Sequence, residues 1–308
     1  MIAVHENQGK PVWVDLVDPS PEELAAACAR HGLDIPPRSR LEEIEFSSRL
    51  QYEDGVFTLS VPVTARHGEE TITAPLGFVL TPATLVTVRF SDIPGIGTVA
   101  GRLASHPRPA PEVFLLILEA IIDHGADRLE ELRDRALRIS RQVFRKNVPG
   151  QRNMRRSSLR LNGVLMEIGE MGAGLSHIRD TLLVLQRAVP FVVEHGESWL
   201  SRPLKTRLKM AGDDVQSLTV YEGHLTGKLQ FLLDAALGFI NNEQNELFKV
   251  MTIWSVAGIP PVLVAGIWGM NFHFMPELAW HWGYPLALAT IAASTAIPLI
   301  LFKRKGWW

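Results

Sequence analysis

The sequence predicts an α/β domain, then a layer of long helices, then two C-terminal helices that span a membrane. Three observations carry this prediction. Charged side chains stop almost completely after Lys249, which leaves two uncharged stretches, 250–270 and 283–302. β-branched and aromatic segments separated by Gly, Pro and Thr occupy the first third of the chain, and longer segments with helical periodicity follow them. The composition, 46% hydrophobic and 21% charged over 308 residues, fits such a hybrid protein.

The N-terminal region, 1–110, is predicted to be a cytoplasmic α/β domain with a mixed sheet. Its predicted strands lie at 12–16, 56–63, 77–80 and 85–90. Ser20 is a predicted helix N-cap, because Pro21 suits the first helical position and Glu23 completes a capping box. The first residues lack both a basic leader and an apolar stretch, so no cleavable signal peptide is expected. The single cysteine, Cys28, excludes an intrachain disulfide.

The helical layer is predicted at 111–200, followed by a stalk helix at 201–249. The apolar segment 113–122 is too short to span a bilayer and is interrupted by Glu119, so it is predicted to be a core helix. The stalk helix should begin near Ser201 and continue into the membrane. A coiled-coil-like seam with Glu222 as its one polar member follows a 4-3 spacing: Leu204, Leu208, Ala211, Val215, Leu218, Glu222, Leu225, Leu229, Leu232, Ala236 and Ile240.

Charge is segregated between these helices. Acidic residues dominate from 213 to 246, where Lys228 is the only Lys or Arg, and basic residues dominate from 128 to 160. One interpretation is an acidic inner surface that concentrates cations, with a basic outer layer near anionic headgroups. The other is two complementary helices in salt-bridged contact. A nucleic-acid partner is not expected, because the basic segment has few aromatic residues for base stacking.

The two uncharged stretches predict a membrane hairpin. At about 1.5 Å per residue, a helix of roughly 20 residues is about 30 Å long and matches the hydrocarbon core of a bilayer. Residues 250–270 form the first predicted span, 271–282 the outer loop, 283–302 the second span and 303–308 a basic tail. Lys249 and the tail flank the spans while the loop has no Lys or Arg, so both chain ends are predicted to be cytoplasmic. A buried hairpin in a soluble domain would not need aromatic residues at both borders.

The region where the hairpin turns resembles a known family. Gly269-Met270-Asn271, the loop segment Met275-Pro276-Glu277-Leu278, and Trp282-Gly283-Tyr284-Pro285 are similar to the signature of the CorA family of divalent metal transporters. The order of the whole chain, from α/β domain through stalk helix to two C-terminal spans, resembles that family as well. The combination of Gly-Met-Asn with Met-Pro-Glu-Leu is its most specific part.

The resemblance implies a homopentameric funnel in the cytoplasmic (inner) membrane, with the first span lining a central pore. It implies that Asn271 forms a ring whose amide oxygens hold a hydrated cation as the selectivity filter. Gly269 and Met270 would fix the helix end, Glu277 would attract cations to the mouth, and Asn245 would form a polar ring at the cytoplasmic end.

The residues themselves support a pore-facing side of the first span. Asn245, Thr252, Ile259 and Gly266 recur every seven residues and therefore share one helix face. Polar side chains at membrane depth are tolerated where they line a water-filled pathway. Ile259 and Val262 are expected to form a hydrophobic constriction. The double proline Pro260-Pro261 removes two backbone donors, so we expect it to bend or loosen the helix.

The expected cargo is Mg²⁺, with Co²⁺ and Ni²⁺ as further substrates, and no cofactor is expected. Mg²⁺ gives up its water reluctantly, so neutral amide oxygens can hold the hydrated ion. A Zn²⁺ transporter of the same superfamily is the alternative, although the spans contain no Cys/His cluster of zinc spacing. Gating by Mg²⁺ bound between cytoplasmic domains is a family property, and Asp92, Asp213 and Asp214 are the candidate ligands here.

Two other classes of protein remain as alternatives. The hairpin could tether a cytosolic sensor or binding module, but such an anchor needs neither asparagine at the turn nor a polar face in its first span. An enzyme is not expected, because the sequence has no nucleophile elbow, P-loop or His-Glu-x-x-His pattern.

Overall fold

The computed structural model describes residues 2–7, 10–67, 70–144, 154–270, 273, 275–276 and 280–307. Within these ranges the strands are β1 (Ile2–Asn7), β2 (Lys10–Val17), β3 (Leu50–Glu53), β4 (Val56–His67), β5 (Glu70–Leu80) and β6 (Leu85–Arg89). The helices are α1 (Pro21–His31), α2 (Arg38–Leu41), α3 (Phe46–Arg49), α4 (Ile96–Ser105), α5 (Ala110–Phe144), α6 (Met154–His195), α7 (Arg202–Trp268) and α8 (Gly283–Arg304). The chain divides into two compact units, one of 1–148 with 163–233 and one of 149–162 with 234–308.

The strands form one mixed sheet in the order β1-β2-β6-β5-β4-β3. β2 and β6 run parallel, and the other neighbours are antiparallel. The α/β prediction is therefore confirmed, but two short edge strands, β1 and β3, were missed. A signal for β3 was present in the sequence: Asp54 and Gly55 have φ of 48° and 83° and join β3 to β4 by a two-residue turn. Asp-Gly is a preferred pair for such a turn, because both residues need positive φ.

The capping prediction for α1 is confirmed. Glu23 N donates to Ser20 Oγ at 3.2 Å, and Ser20 N donates to Glu23 Oε2 at 3.0 Å. Gly32 ends the helix with φ of 67°, a conformation that glycine adopts without strain. Sequence-local hydrogen bonds therefore set both ends of α1.

The two faces of the sheet are covered differently. On one face Val14, Leu16, Val86 and Val88 form a buried cluster with Ala27 of α1. On the other, Phe78 meets Phe114 of α5 edge to face, with ring centroids 5.3 Å apart. The predicted core helix within α5 is confirmed, since its apolar residues are buried: Val113, Phe114, Leu115, Ile117, Leu118, Ile121 and Ile122.

A line of polar side chains is buried between β2 and β6. Asp15 lies opposite Thr87 in the parallel register. Trp13 Nε1 donates to Thr87 Oγ1 at 2.9 Å, and Thr87 Oγ1 donates to Asp15 Oδ1 at 2.7 Å. Arg89 Nη2 lies 3.0 Å from Asp15 Oδ2. Each buried polar group thus has a partner, which removes the cost of taking it out of water.

Nine of the eleven seam residues of α7 are buried within the chain, and Leu218 and Ile240 are half-buried. Glu222 is buried and makes a bidentate pair with Arg179 of α6, at 2.9 and 3.0 Å. Arg207 of α7 pairs with Glu119 of α5 at 2.8 Å. A long helix with an apolar seam can bury it against neighbouring helices of its own chain as well as in a coiled coil.

Thr87→Val should destabilise the protein by about 2 kcal/mol, because it leaves both Trp13 Nε1 and Asp15 short of a hydrogen-bond partner in the core. Urea unfolding of the full-length protein in detergent, followed by tryptophan fluorescence, measures the change. The control is Thr58→Val, which removes a hydroxyl that makes no hydrogen bond to any described residue. Equal stability of the two variants would show that the buried polar line contributes nothing.

Candidate functional site

Two helices in the described part of the chain are long and apolar enough to cross a membrane. They are α7, with 67 residues, and α8, with 22. Their most apolar windows are 0% and 6% buried inside the chain. A core helix of a soluble domain would be covered by its own protein. These two helices are not, so a buried hairpin in a soluble domain does not fit. Lipid or further copies of the chain must cover these faces.

α7 runs as one helix through Pro260-Pro261 to Trp268. The expected loosening does not interrupt it, because the two missing N–H donors are adjacent and the turns on either side keep their own hydrogen bonds. Beyond Trp268 the last turn tightens. Gly269 N donates to Ala265 O at 2.9 Å and to Gly266 O at 3.2 Å, and Met270 N donates to Ile267 O at 3.3 Å. These bonds fix the backbone up to the residue before Asn271.

Glycine at 269 has a local reason. A Cβ built there would lie 3.2 Å from Ala265 O, tighter than an ordinary contact. A larger residue would therefore push against the carbonyl that accepts the bond closing the helix. Asn271 and Glu277, the predicted filter and mouth residues, lie outside the described residues. The structure thus describes the end of α7 that directly precedes Asn271, and it does not describe Asn271.

The predicted pore-facing side of α7 is not covered by its own chain. Asn245, Thr252, Ile259 and Gly266 are exposed, and Val262 is 71% exposed. Seven residues advance a helix by nearly two full turns, so the four residues at this spacing stay on one side. Ala257, in contrast, is buried. This side of the helix is available to line a space between copies, and it changes from polar at Asn245 to apolar at Ile259.

The three regulatory candidates do not form a metal site in the described chain. Asp92 is exposed and lies 3.6 Å from Arg89 Nη1. Asp213 and Asp214 are exposed on α7. Among the residues that the structure describes, no group of three or more His, Cys, Asp or Glu is placed to hold a metal ion. A site at these carboxylates would need ligands from another copy or from bound water.

Some of the segregated charges are paired within the chain. Arg135 of the basic segment pairs with Glu167 at 3.4 Å and Glu170 at 3.1 Å. Arg133 donates to Asp134 Oδ1 at 2.9 Å, and this hydrogen bond lowers the pKa of the Asp134 carboxyl. Glu222 of the acidic segment pairs with Arg179, which lies outside the basic segment. Neither set of contacts joins the basic segment to the acidic one, so the two interpretations of the segregated charge both stay open. Asp213 and Asp214 are exposed acids of α7.

Sequence reasoning did not single out Trp268. Its Nε1 is enclosed, and it has no hydrogen-bond partner among the described residues. The side chain directly precedes the Gly269-Met270 turn. Its position directly before the Gly-Met-Asn motif was the available signal in the sequence.

Comparison with known proteins gives a family match over nearly the whole chain. The model of the CorA-like Mg²⁺ transporter protein family matches residues 8–304. A protein named magnesium transport protein CorA from Haemophilus ducreyi is 32% identical over 320 residues, covering 100% of this chain and 96% of that protein. The corresponding protein of Salmonella typhimurium is 31% identical, covering 99% of this chain and 95% of the relative.

Solved structures share the fold. The CorA magnesium transporter of Methanocaldococcus jannaschii has a TM-score of 0.76 at 19% identity, covering 96% of this chain and 91% of that one. The cytoplasmic domain of ZntB from Vibrio parahaemolyticus has a TM-score of 0.55 at 15% identity, covering 75% of this chain and 88% of that domain. At these identities the likeness shows the fold alone.

Exposure in the single chain does not distinguish the two sides of α7, since Trp254 is 77% exposed. Lining of a pore by the Thr252 side would distinguish them in the assembled protein, because lipid or neighbouring helices would cover the other side. In a Cys28→Ala background, Thr252→Cys and Gly266→Cys should react with a charged thiol reagent at least about tenfold faster than Trp254→Cys, because Trp254 lies about 200° around the helix from Thr252. No atom lies within 4 Å of a Cβ at Gly266, so that substitution fits. Mg²⁺ should slow the two faster reactions. Fastest labelling at Trp254→Cys would reverse the assignment of the faces.

Proposed function

The chain belongs to the CorA-like Mg²⁺ transporter family, and from this premise we propose that it carries Mg²⁺ across a membrane through a pore formed by several copies. The observation that carries the proposal is the family match over residues 8–304, which includes the whole first span and its Gly-Met-Asn end. The relatives named above are magnesium transport proteins by name. The family is one of membrane transporters and not of enzymes, so the chemistry required is ion recognition without bond making.

We assign the selectivity filter to Gly269, Met270 and Asn271. Mg²⁺ strongly favours octahedral coordination and keeps its waters, so a filter of neutral amide oxygens can bind the first-shell water rather than strip it. The described helix end supports this role, since the tightened turn at Gly269 and Met270 holds the backbone that leads into Asn271. A closed ring of such ends would place one amide from each copy around the axis.

The remaining pathway follows from the exposed side of α7. Asn245, Thr252 and Gly266 offer polar or backbone groups to hydrated ions. Ile259 and Val262 form the proposed hydrophobic constriction, where dewetting would stop conduction in a closed state. Glu277 is proposed to raise the cation concentration at the outer mouth, an effect limited to about 8 Å at physiological ionic strength.

A homopentamer is the proposed assembly. One hairpin cannot enclose a pore, and the apolar windows of α7 and α8 need covering by lipid or by further copies. The proposed setting is the cytoplasmic membrane with both ends inside, because Lys303, Arg304 and Lys305 directly follow the second span and the outer loop has no basic residue. Asp92, Asp213 and Asp214 remain candidate ligands for a regulatory Mg²⁺ shared between neighbouring copies.

Transport of other metals is the second candidate function. Co²⁺ and Ni²⁺ form hydrated ions of similar size and can share an amide-lined filter. A Zn²⁺ transporter is less favoured, because the full-length relatives carry magnesium in their names. A membrane-anchored sensor would leave the exposed polar face of α7 without a role.

Asn271→Ala and Asn271→Gly should both nearly abolish Mg²⁺ uptake into proteoliposomes. Each removes an amide oxygen from every copy, and a charge-assisted contact contributes about 1.5 kcal/mol or more, so the loss across a ring exceeds about a hundredfold in rate. Assembly should survive, which size-exclusion chromatography in detergent checks. The matched control is Asn162→Ala, an exposed asparagine of α6 that lies outside the proposed pathway.

The glycine variant separates two roles of Asn271. Glycine ends a helix at least as well as asparagine but offers no side-chain oxygen. Normal Mg²⁺ uptake by a well-assembled Asn271→Gly protein would contradict the assignment of Asn271 to the selectivity filter. Asn271 would then be a helix cap.

A further inference from the structure

The end of α8 is held in a defined turn. Gly306 adopts the left-handed conformation with φ of 70°. Its N–H donates to Lys303 O at 3.1 Å, and Trp307 N–H donates to Phe302 O at 3.0 Å. This pair of bonds is a Schellman motif, which ends a helix by reversing the chain over its last turn. The segment after the second span therefore folds back onto the last turn of α8.

The reversal places an aromatic ring against the last apolar turn. Trp307 stacks on Phe302, with ring centroids 5.2 Å apart and an interplanar angle of 22°. Trp307 is still 41% exposed. A contact between these two positions is the apolar part of a Schellman motif. Tryptophan prefers the interface of a membrane, where its ring can contact apolar groups and its N–H can reach polar ones. The end of a membrane span is a position of that kind.

Three cationic side chains sit within the same turn. Lys303, Arg304 and Lys305 are all exposed, and none makes an ion pair with another described residue. The basic residue at the start of the first span differs, because Lys249 is paired with Glu246 at 2.8 Å. The tail is thus a concentration of unneutralised positive charge directly at the end of an apolar helix.

We propose that the tail turn, residues 302–307, is a binding site for the headgroups of anionic phospholipids. Lysine and arginine donate to phosphate oxygens, and the stacked Trp307 supplies an apolar wall at the level of the glycerol and upper acyl chains. The ordered turn lowers the entropic cost of presenting these groups together. A free phosphate would satisfy the charges alone, but it would make no use of the indole or of the adjoining apolar span.

The proposal predicts the size of the effect. A basic residue next to an anionic surface contributes about a fivefold gain in binding at low salt, so three of them together contribute at least about tenfold after screening. Trp307 adds apolar contact that depends little on salt. The two contributions can therefore be separated by ionic strength.

The test uses the full-length protein in phosphatidylcholine vesicles that contain a trace of dansyl-labelled lipid. Energy transfer from tryptophan reports how much labelled phosphatidylglycerol, compared with labelled phosphatidylcholine, gathers around the protein. The variants are K303Q/R304Q/K305Q, Trp307→Ala, and the charge-matched control R30Q/R102Q/K209Q, whose three exposed basic residues lie far from α8 in sequence. A parallel arm adds millimolar inorganic phosphate.

The expected result is several-fold enrichment of phosphatidylglycerol around the native protein and the control. The tail triple variant should lose it, and Trp307→Ala should lower it at both low and high salt. Equal enrichment in the native and tail-variant proteins would place lipid binding elsewhere and overturn the proposal. Displacement by inorganic phosphate, or full enrichment in Trp307→Ala, would reduce the site to a simple anion site and overturn it as well. Mg²⁺ uptake is not the readout, so failure here leaves the proposed function untouched.

Discussion

The constraint on which this chain depends is that backbone N–H and C=O groups must be satisfied wherever water cannot reach them. α7 meets this constraint as one helix of 67 residues, except at the two carbonyls that lose their helical donors to Pro260 and Pro261. The helix ends at Gly269 and Met270, where backbone hydrogen bonds to the third preceding residue tighten the last turn. The described helix therefore ends directly before Asn271 in the sequence, which is the position proposed for a polar ring at a membrane entrance.

The same requirement for hydrogen-bond partners separates the carboxylates that the fold uses from the carboxylates that stay exposed to solvent. Asp15 is satisfied by Thr87 and Arg89 inside the sheet, and Glu222 is satisfied by Arg179 under the helical layer. The oxygens of such a carboxylate already accept hydrogen bonds from the fold, and a cation could bind them only by displacing the arginine partner. Asp213 and Asp214, in contrast, are exposed and can meet hydrated Mg²⁺ without unfolding anything. Acidic composition alone therefore overstates the surface that attracts cations.

Much of the fold could be predicted from the sequence, because its signals are local. The loss of charge after Lys249 marks the spans, and Ser20 and Glu23 mark the start of α1 by direct hydrogen bonds. The seam of α7 was also visible, since burial follows its spacing from Leu204 to Ala236. What the sequence could not supply is long-range pairing. Nothing local links Trp13 to Thr87 or Arg179 to Glu222, and a periodic seam does not say whether its partner is the same chain or another copy.

Direct measurement of ion movement tests the central claim. Proteoliposomes that hold the purified, assembled protein and a metal-sensitive dye can be challenged with Mg²⁺, Zn²⁺, Co²⁺ and Ni²⁺ in parallel, with protein-free vesicles as the blank. The account predicts rapid entry of Mg²⁺ down its gradient and slower entry of Zn²⁺. Entry of Zn²⁺ without Mg²⁺, or no entry of any of the four metals into vesicles that contain assembled protein, would contradict it.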